Sequence, residues 1–369
     1  MTREMLELDG TDGGGQLIRT ALTLSVLDGR PFRMENVRGN RSNPGLKRQH
    51  LACVDLLADL ADADVSGADV GSETLTFDPG GSDGVLGIRA NSDTDGSEPV
   101  EVAVDVGTAG SVTLVADALL PLAGRLSTPV RATLGGGTDV KWSPPTDYLR
   151  HVKLPLLRAG GLDADVEVHR RGFYPAGGGE LVVDVRRSAL APIDLDVRRG
   201  ESMEWSIYAV SAEALEDASV ADRLAETAAA SLVDQEMAVD PAVHVGYVES
   251  RSPGAVVTLV AESGSSSASS QQFRAGFAAY GERGVLSEDV AAEAVDAAVQ
   301  WAETDASIDA HLGDQLVVWL ALAGGRVRIP RVTDHVRTNV AVVRAFGYDV
   351  SIEESFSGPA ATLSASPSE

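Results

Sequence analysis

A glycine turn, an apolar helical stretch, a glycine stop, a strand, a loop, a second helix and a further strand follow one another three times along this chain. The first copy starts at Gly13, with a helix through about Leu27, a stop at Gly29 and a strand over Pro31–Arg38. Its second helix is expected from Pro44 to about Leu60, with strands near Ala63–Val70 and Glu73–Phe77. The second copy starts at Gly107-Thr108-Ala109-Gly110-Ser111. It continues as helix Val112–Leu122, a stop near Gly124, a strand around Val130–Leu134, helix Thr146–Ala159 and strand Ala164–His169. The third starts near Leu312-Gly313-Asp314-Gln315, with a helix to Ala323, a stop at Gly324-Gly325, strand Arg326–Val332 and helix Val336–Phe346.

The second helices begin near residues 44, 146 and 335. The last interval is longer than the first by roughly 90–100 residues, which predicts an insertion before the third copy. Residues 187–284 fit it, leaving 1–186 and 285–369 as the repeated domain. Within the insertion the pattern predicts strand Glu204–Ser211, helix Ala221–Gln235, and strands His244–Glu249, Ala255–Ala261 and Phe273–Tyr280. The low-complexity run Ser263–Ser270 reads as a hairpin loop, and a helix at Ser287–Trp301 leads back. The fold class is therefore α+β: three repeated βαβαββ-type units forming one large domain, with a smaller inserted α/β domain. Functional loops should come from corresponding points of different copies.

The chain carries 55 Asp+Glu against 30 Lys+Arg, a net charge of −25, with only Lys47, Lys141 and Lys153 as lysines. Carboxylates spread along the whole length match a protein adapted to a salt-rich cytoplasm, where screening removes self-repulsion. Cys53 is alone, which excludes a disulfide framework and a thiolate metal cage. No segment reads as a signal peptide, and no apolar run reaches the roughly 18 residues that a membrane span needs. A soluble cytoplasmic protein is expected.

Against that acidic background, the nineteen residues from Asn36 to Val54 contain no carboxylate and hold Arg38, Arg41, Lys47, Arg48 and His50. A positive island in a negative field suits a phosphate-rich ligand. Asn43-Pro44 reads as a helix cap over the same charges. Upstream, Gly13-Gly14-Gly15 lets backbone amides approach a phosphate, and Gln16, Arg19 and Thr20 share one helix face. It is neither a Walker loop nor a Rossmann fingerprint, since the residues each requires are missing.

His335 is the candidate nucleophile. It stands between a strand and a helix, where the positive end of the helix dipole favours the ring form with a nitrogen lone pair. The unpaired amides of the same helix start would hold an arriving phosphate. A helix-capping role is the plainer alternative. Ser143-Pro144-Pro145-Thr146-Asp147-Tyr148 could sandwich a purine or form a rigid loop around a core tyrosine. Asp314 and Gln315 could be capping residues. Phe173-Tyr174-Pro175 reads as a structural turn, and Trp142, Trp205, Trp301 and Trp319 look too scattered for a base-stacking platform. His151, His169 and His244 have no metal-like spacing.

These pieces occur together in one family. Leu6–Gly10, Gly13–Thr20, Val37–Leu51, Gly107–Ser111, Gly136–Asp139, Gly172–Gly179, Asp314–Leu316 and His335 with Thr338-Asn339 lie in order over nearly the full length. In them the chain resembles RNA 3′-terminal phosphate cyclases, and an archaeal, halophilic member in particular. The resemblance implies a reaction in three steps: adenylation of a histidine by ATP, transfer of AMP to an RNA 3′-phosphate, and attack of the neighbouring 2′-OH to leave a 2′,3′-cyclic phosphate. Carried across, His335 would be the adenylated nucleophile. Gln16, Arg19, Arg38, Arg41, Gln49 and His50 would contact ATP or RNA phosphates. Pro144 and Tyr148 would flank adenine, and Asp314 and Gln315 would contact nucleotide or metal. The family's metal-binding glutamate is replaced by Asp12, which implies Mg²⁺ or Mn²⁺ with a shorter reach. His311 stands where the family often has an aromatic residue or another histidine near the adenine. Two rivals remain at this level: a non-catalytic relative acting in RNA binding or ribosome assembly, and an enolpyruvate-type transferase built on similar repeats.

Overall fold

The computed structural model describes residues 4–80, 98–107, 109–195, 203–263, 273–355 and 360–367. In the first unit, β1 (Leu6–Asp9) leads into α1 (Gly15–Asp28), β2 (Phe32–Glu35), α2 (Arg48–Ala61), β3 (Asp64–Ser66) and β4 (Leu75–Asp78). The sheet order is β1-β2-β4-β3, with β1 and β2 parallel and the other two pairs antiparallel. The second unit repeats this with β5 (Val100–Asp105), α3 (Val112–Leu119) and β6 (Val130–Gly136). Then α4 (Thr146–Tyr148) runs through a π turn, Leu149–Lys153, into α5 (Leu154–Ala159), followed by β7 (Ala164–Arg170) and β8 (Gly179–Val185). The order β5-β6-β8-β7 has the same parallel and antiparallel pairs.

The third unit is split. It opens with β9 (Ile193–Leu195), after which the chain builds β10 (Met203–Ala212), α6 (Val220–Asp234), β11 (Ala242–Val248), β12 (Ala255–Ser263), β13 (Arg274–Tyr280) and α7 (Ser287–Ala302). It then resumes with α8 (Ala310–Gln315), α9 (Val317–Ala323), β14 (Gly325–Ile329), α10 (Asp334–Ala345), β15 (Val350–Glu354) and β16 (Ala361–Ala365). β9 pairs parallel with β14, β14 antiparallel with β16, and β15 antiparallel with β16, which is again the same unit.

Two boundaries differ from the sequence reading. The expected insertion at 187–284 contains β9, which belongs to the third sheet, and omits α7, which packs on the insertion's own core. The inserted element therefore runs from β10 to α7. Its first boundary was invisible because a three-residue strand carries little periodicity and meets its partner far along the chain. Gly325 permits that meeting: at φ 118°, a Cβ there would lie 2.1 Å from the Ile193 carbonyl oxygen. The helix expected from Pro44 begins at Arg48, and Lys47, not Asn43, takes the N-cap position. Residues before it wrap around Arg38, whose Nη1 donates to the carbonyls of Asn43 (3.0 Å) and Gly45 (2.9 Å). The serine run from Gly264 lies outside the described residues.

One apolar core runs through all three units, from Leu17, Ile18 and Leu22 of α1 to Val336 and Val340 of α10. The inserted sheet, ordered β11-β10-β12-β13, has a core of its own with α6 and α7. There Trp301 meets Phe277 at 5.4 Å and Trp205 edge-on at 6.5 Å, and its Nε1 donates to the Ile308 carbonyl. Among the described residues no helix is long and apolar enough to cross a membrane. Trp301→Ala should destabilise the protein by about 3–5 kcal/mol through the cavity it leaves. Thermal unfolding followed by circular dichroism tests this, and an unchanged midpoint would mean that the insertion does not depend on this ring.

Candidate active site

Helix α1 begins at Gly15 with Gly14 as an N-cap that offers no side-chain acceptor, and its first turn carries no acid. No side chain therefore caps its leading amides, the arrangement that suits an anion. The three glycines are tightly surrounded. A Cβ on Gly14 would lie 2.4 Å from Gln16 Oε1 and 3.3 Å from Arg41 Nη2. One on Gly15 would lie 2.4 Å from His50 Nε2 and 3.3 Å from Arg19 Nη1. Gln16, Arg19, Arg41 and His50, drawn from two segments, therefore converge on one bare stretch of backbone.

Buried at the start of α2, His50 accepts the Lys47 N–H at Nδ1 (3.0 Å). Burial first, and then Arg19, Arg38 and Lys47, depress its pKa to about 3. The ring is therefore neutral with its proton on Nε2, a donor aimed at the glycine loop. Burial and the neighbouring Arg41 also lower the pKa of Arg38. Its Nη1 holds two carbonyls, so Arg38 both shapes the basic loop and adds to its charge. Gln49 stands against the turn of the second unit, its Cβ 3.3 Å from where a Cβ of Gly110 would be.

The third unit supplies His335. Helices α1 and α10 lie side by side and point the same way. Near their starts Gln16 Nε2 donates to Thr338 Oγ1 (3.2 Å) and Thr20 Oγ1 to Asn339 Oδ1 (3.0 Å). Near their ends Arg30 Nη1 donates to the Ala345 carbonyl (3.4 Å) and Tyr348 OH to Asp28 Oδ1 (2.7 Å). Both positive helix ends thus open towards one place. Thr333 Oγ1 caps α10, so His335 lies in its first turn and is not the cap. The imidazole is half exposed, and its Nδ1 lies 3.2 Å from Asp314 Oδ2. A neutral ring that donates its Nδ1–H to that carboxylate would keep its lone pair on Nε2. Asn339 fixes the arrangement by donating to the Asp314 carbonyl (3.1 Å). Next to Asp314, Gln315 Oε1 is buried without a hydrogen-bond partner.

Tyr148 does not present a stacking face. It is 2 % exposed, its hydroxyl donates to both oxygens of Asp309 (3.0 and 2.9 Å), and its ring backs onto Gly276. Burial, and then Asp309, push its pKa well above the usual phenol range. A cavity of about 680 Å³ opens on the other side of Gly276 and Asp309, with His311, Arg331 and Trp301 among its lining residues. Tyr148 lies behind its floor. Pro144 is half-buried, and its carbonyl accepts from Thr113 Oγ1 (2.7 Å). Asp309 itself was missed in the sequence. Its signal was an Asp directly before a helix, and it caps α8 by accepting from the amides of His311 and Leu312.

Asp12 is exposed at the edge of the glycine loop, with Oδ1 accepting from Asn40 Nδ2 (2.7 Å). Among the described residues no cluster of three or more His, Cys, Asp or Glu side chains could hold a metal on its own. A single open carboxylate fits a hydrated Mg²⁺-type cation bound chiefly through a ligand's phosphates.

The molecule is thus an α+β protein of three βαβαββ units whose first and third units join helix starts around a cationic, glycine-lined site facing a histidine. The chain belongs to the RNA 3′-terminal phosphate cyclase family, whose model matches residues 11–352. A protein named RNA 3′-terminal phosphate cyclase from Halobacterium salinarum is 46% identical over 361 residues, covering 97% of this chain and 99% of that protein. Proteins of the same name from Thermococcus kodakarensis (38% over 362 residues, 98% of each chain) and Ectopseudomonas mendocina (37% over 348 residues, 94% of each) also match over nearly their whole length. A solved enolpyruvyl transferase, NikO from Streptomyces tendae, reaches a TM-score of only 0.26 at 16% identity, covering 48% of this chain and 33% of that one. That likeness carries no argument.

Two outcomes follow from the site's packing. Gly15→Ala should push the His50 ring aside and weaken ATP binding at least tenfold by titration calorimetry; full affinity would place the imidazole outside the site. An unfolded histidine takes up its proton near pH 6.5, whereas folded His50 resists protonation down to about 3. Acidification through that window therefore favours the unfolded chain, and the stability returns above pH 6.5. In urea titrations at a series of pH values, His50→Gln should lose less stability than the wild type between these limits. Parallel losses would contradict the neutral, buried ring.

Proposed function

We propose that this chain converts an RNA 3′-phosphate into a 2′,3′-cyclic phosphate at the expense of ATP, working in the cytoplasm through a histidine adenylate. The observation that carries the reading is His335 in the first turn of α10, with Nδ1 on Asp314 and with the glycine start of α1 beside it. Family membership agrees with it.

His335 Nε2 attacks the α-phosphorus of ATP, a nitrogen–phosphorus bond forms and pyrophosphate leaves. The amides at the starts of α1 and α10, with Arg19, Arg41 and His50 Nε2–H, neutralise the charge that grows on the phosphate oxygens. Asp314 holds the imidazole in the right tautomer and balances the positive charge it acquires. AMP then passes to the RNA 3′-phosphate, and breaking the nitrogen–phosphorus bond restores the free imidazole. Finally the ribose 2′-OH gives up its proton and attacks the activated phosphorus, expelling AMP. An unactivated phosphate has only poor leaving groups, and adenylation replaces one with AMP. The last attack is intramolecular, so the site needs mainly to position and neutralise. Arg38 and Gln49 complete the phosphate surround. The cavity beside His311 has the volume for the adenosine end, and Gln315 and Pro144 are assigned to the nucleotide by the family resemblance. Asp12 would hold Mg²⁺ or Mn²⁺, which when bound shields the ATP phosphates.

Incubation with radiolabelled ATP in high salt should leave an acid-labile, alkali-stable label on the protein, absent in His335→Ala although that variant stays folded. A label that survives the substitution would remove His335 from the chemistry. Arg41→Ala should weaken binding of a 3′-phosphate RNA end roughly tenfold more than that of a 3′-hydroxyl end. Equal losses in fluorescence anisotropy would make the basic island a general RNA contact.

A further inference from the structure

Aromatic residues are 5% of this chain, and most of those described are used in its cores. Among the described residues only two aromatics rank with the exposed large side chains, Trp142 at 95% and Tyr174 at 72%. They are far apart in sequence, but their loops are joined. Asp139 bridges to Phe173, the Thr138 N–H donates to the Gly172 carbonyl (3.0 Å), and the Arg171 guanidinium ties Asp139 to Asp147 beneath both loops.

The Trp142 loop is anchored around the ring that it displays. The Ser143 hydroxyl donates to the Val140 carbonyl (2.7 Å), Tyr280 OH to the Ser143 carbonyl (2.6 Å), and Thr113 Oγ1 to the Pro144 carbonyl; Lys141 pairs with Glu282. Trp142 itself has φ 62°, the left-handed region that a bulky residue enters only when its surroundings impose it. A strained backbone held by its neighbours here turns the largest apolar side chain into solvent. That is the reverse of what folding alone favours. The Tyr174 loop is held likewise, by Ala176 N–H on Ser252 Oγ (3.0 Å) and Gly177 N–H on the Phe173 carbonyl (2.8 Å). Two exposed arginines flank it: Arg170 donates to the Gly178 carbonyl, and Arg251 lies over Gly178. Glu180 lies 3.9 Å from Arg170.

We propose that Trp142 and Tyr174 form a stacking platform for the bases of the RNA strand leading to the terminal phosphate, with Arg170 and Arg251 contacting its backbone. The proposal rests on the cyclase reading and assigns the part of the RNA that the phosphate site cannot reach. The platform adjoins that site: Pro144, two residues from Trp142, is tied to the first turns of α3, and the turn before α3 faces Gln49 of α2. A chain of net charge −25 repels a polyphosphate, and high salt screens whatever cationic contacts it makes. Stacking on aromatic faces tolerates any sequence and does not depend on charge. Adenine of ATP is the other planar ligand at hand, but a nucleotide base needs an enclosing pocket. A ring standing 95% in solvent suits a strand that continues outward.

Trp205, Trp301 and Trp319 are buried, so intrinsic fluorescence of the intact protein reports on Trp142 when an oligonucleotide binds. A short oligoribonucleotide with a 3′-phosphate should quench it. Trp142→Ala and Tyr174→Ala should each weaken oligonucleotide binding on the order of tenfold. Trp142→Phe should keep most of the affinity, and binding of a nucleoside 3′-monophosphate should not change in any of them. Equal losses for oligonucleotide and mononucleotide, no loss for either, or a loss of ATP affinity in Trp142→Ala would each overturn the platform. If the wild type takes no label from ATP, the cyclase reading fails on that assay, while the oligonucleotide quench still decides this one.

Discussion

Beneath the site, one buried carboxylate ties the molecule together. Asp309 accepts from Tyr148 OH of the second unit, from the Gly276 amide of the inserted sheet (3.0 Å), and from the amides that open α8 in the third unit. A buried charge is tolerable only when every lone pair is met, and here four donors from three parts of the chain meet it. Burial raises the pKa of Asp309, with His311 the chief opposing influence. The donors nonetheless act together to hold the inserted element, the second unit and α8 in register. Since α8 carries Asp314 at its end, the same knot fixes the partner of His335.

The rest of the site grows from repetition. Each unit supplies helix starts, and packing units one and three brings the start of a first helix, α1, beside that of a second helix, α10, with α2 alongside. A single helix start is a weak anion site; parallel starts that share a location add their dipoles where water is partly excluded. This is how a strongly acidic protein can keep a locally positive centre. The basic island contributes charge, but its shape comes from Arg38, which spends one nitrogen on its own loop's carbonyls.

On the proposed reading, capture of a nucleotide and grip on a longer strand fall to different surfaces. Charge and backbone amides gather at the helix starts, whereas exposed rings stand on loops of the second unit. In an acidic chain this division has a physical basis, because uncharged stacking keeps its strength under salt that weakens ion pairing.

By itself, the sequence determined the three-unit architecture, the helices and strands of the insertion and the glycine loop, and it singled out His335 at the start of a helix. These are local signals: apolar periodicity, glycine punctuation and a carboxylate-free run are all written in contiguous residues. Tertiary structure alone decided what depends on meetings between distant residues. β9 is too short to announce itself and exists through pairing with β14 across the whole insertion. Tyr148, readable as a purine clamp, became a core donor because Asp309 and Gly276 arrived behind its ring. Asp309, missed in the sequence, gains its place only where three parts of the chain converge on it. The loops that carry Trp142 and Tyr174 are joined only by the bridge between Asp139 and Phe173, residues far apart in the chain. A one-dimensional pattern records which faces must be buried; which buried face meets which is settled only when the units pack.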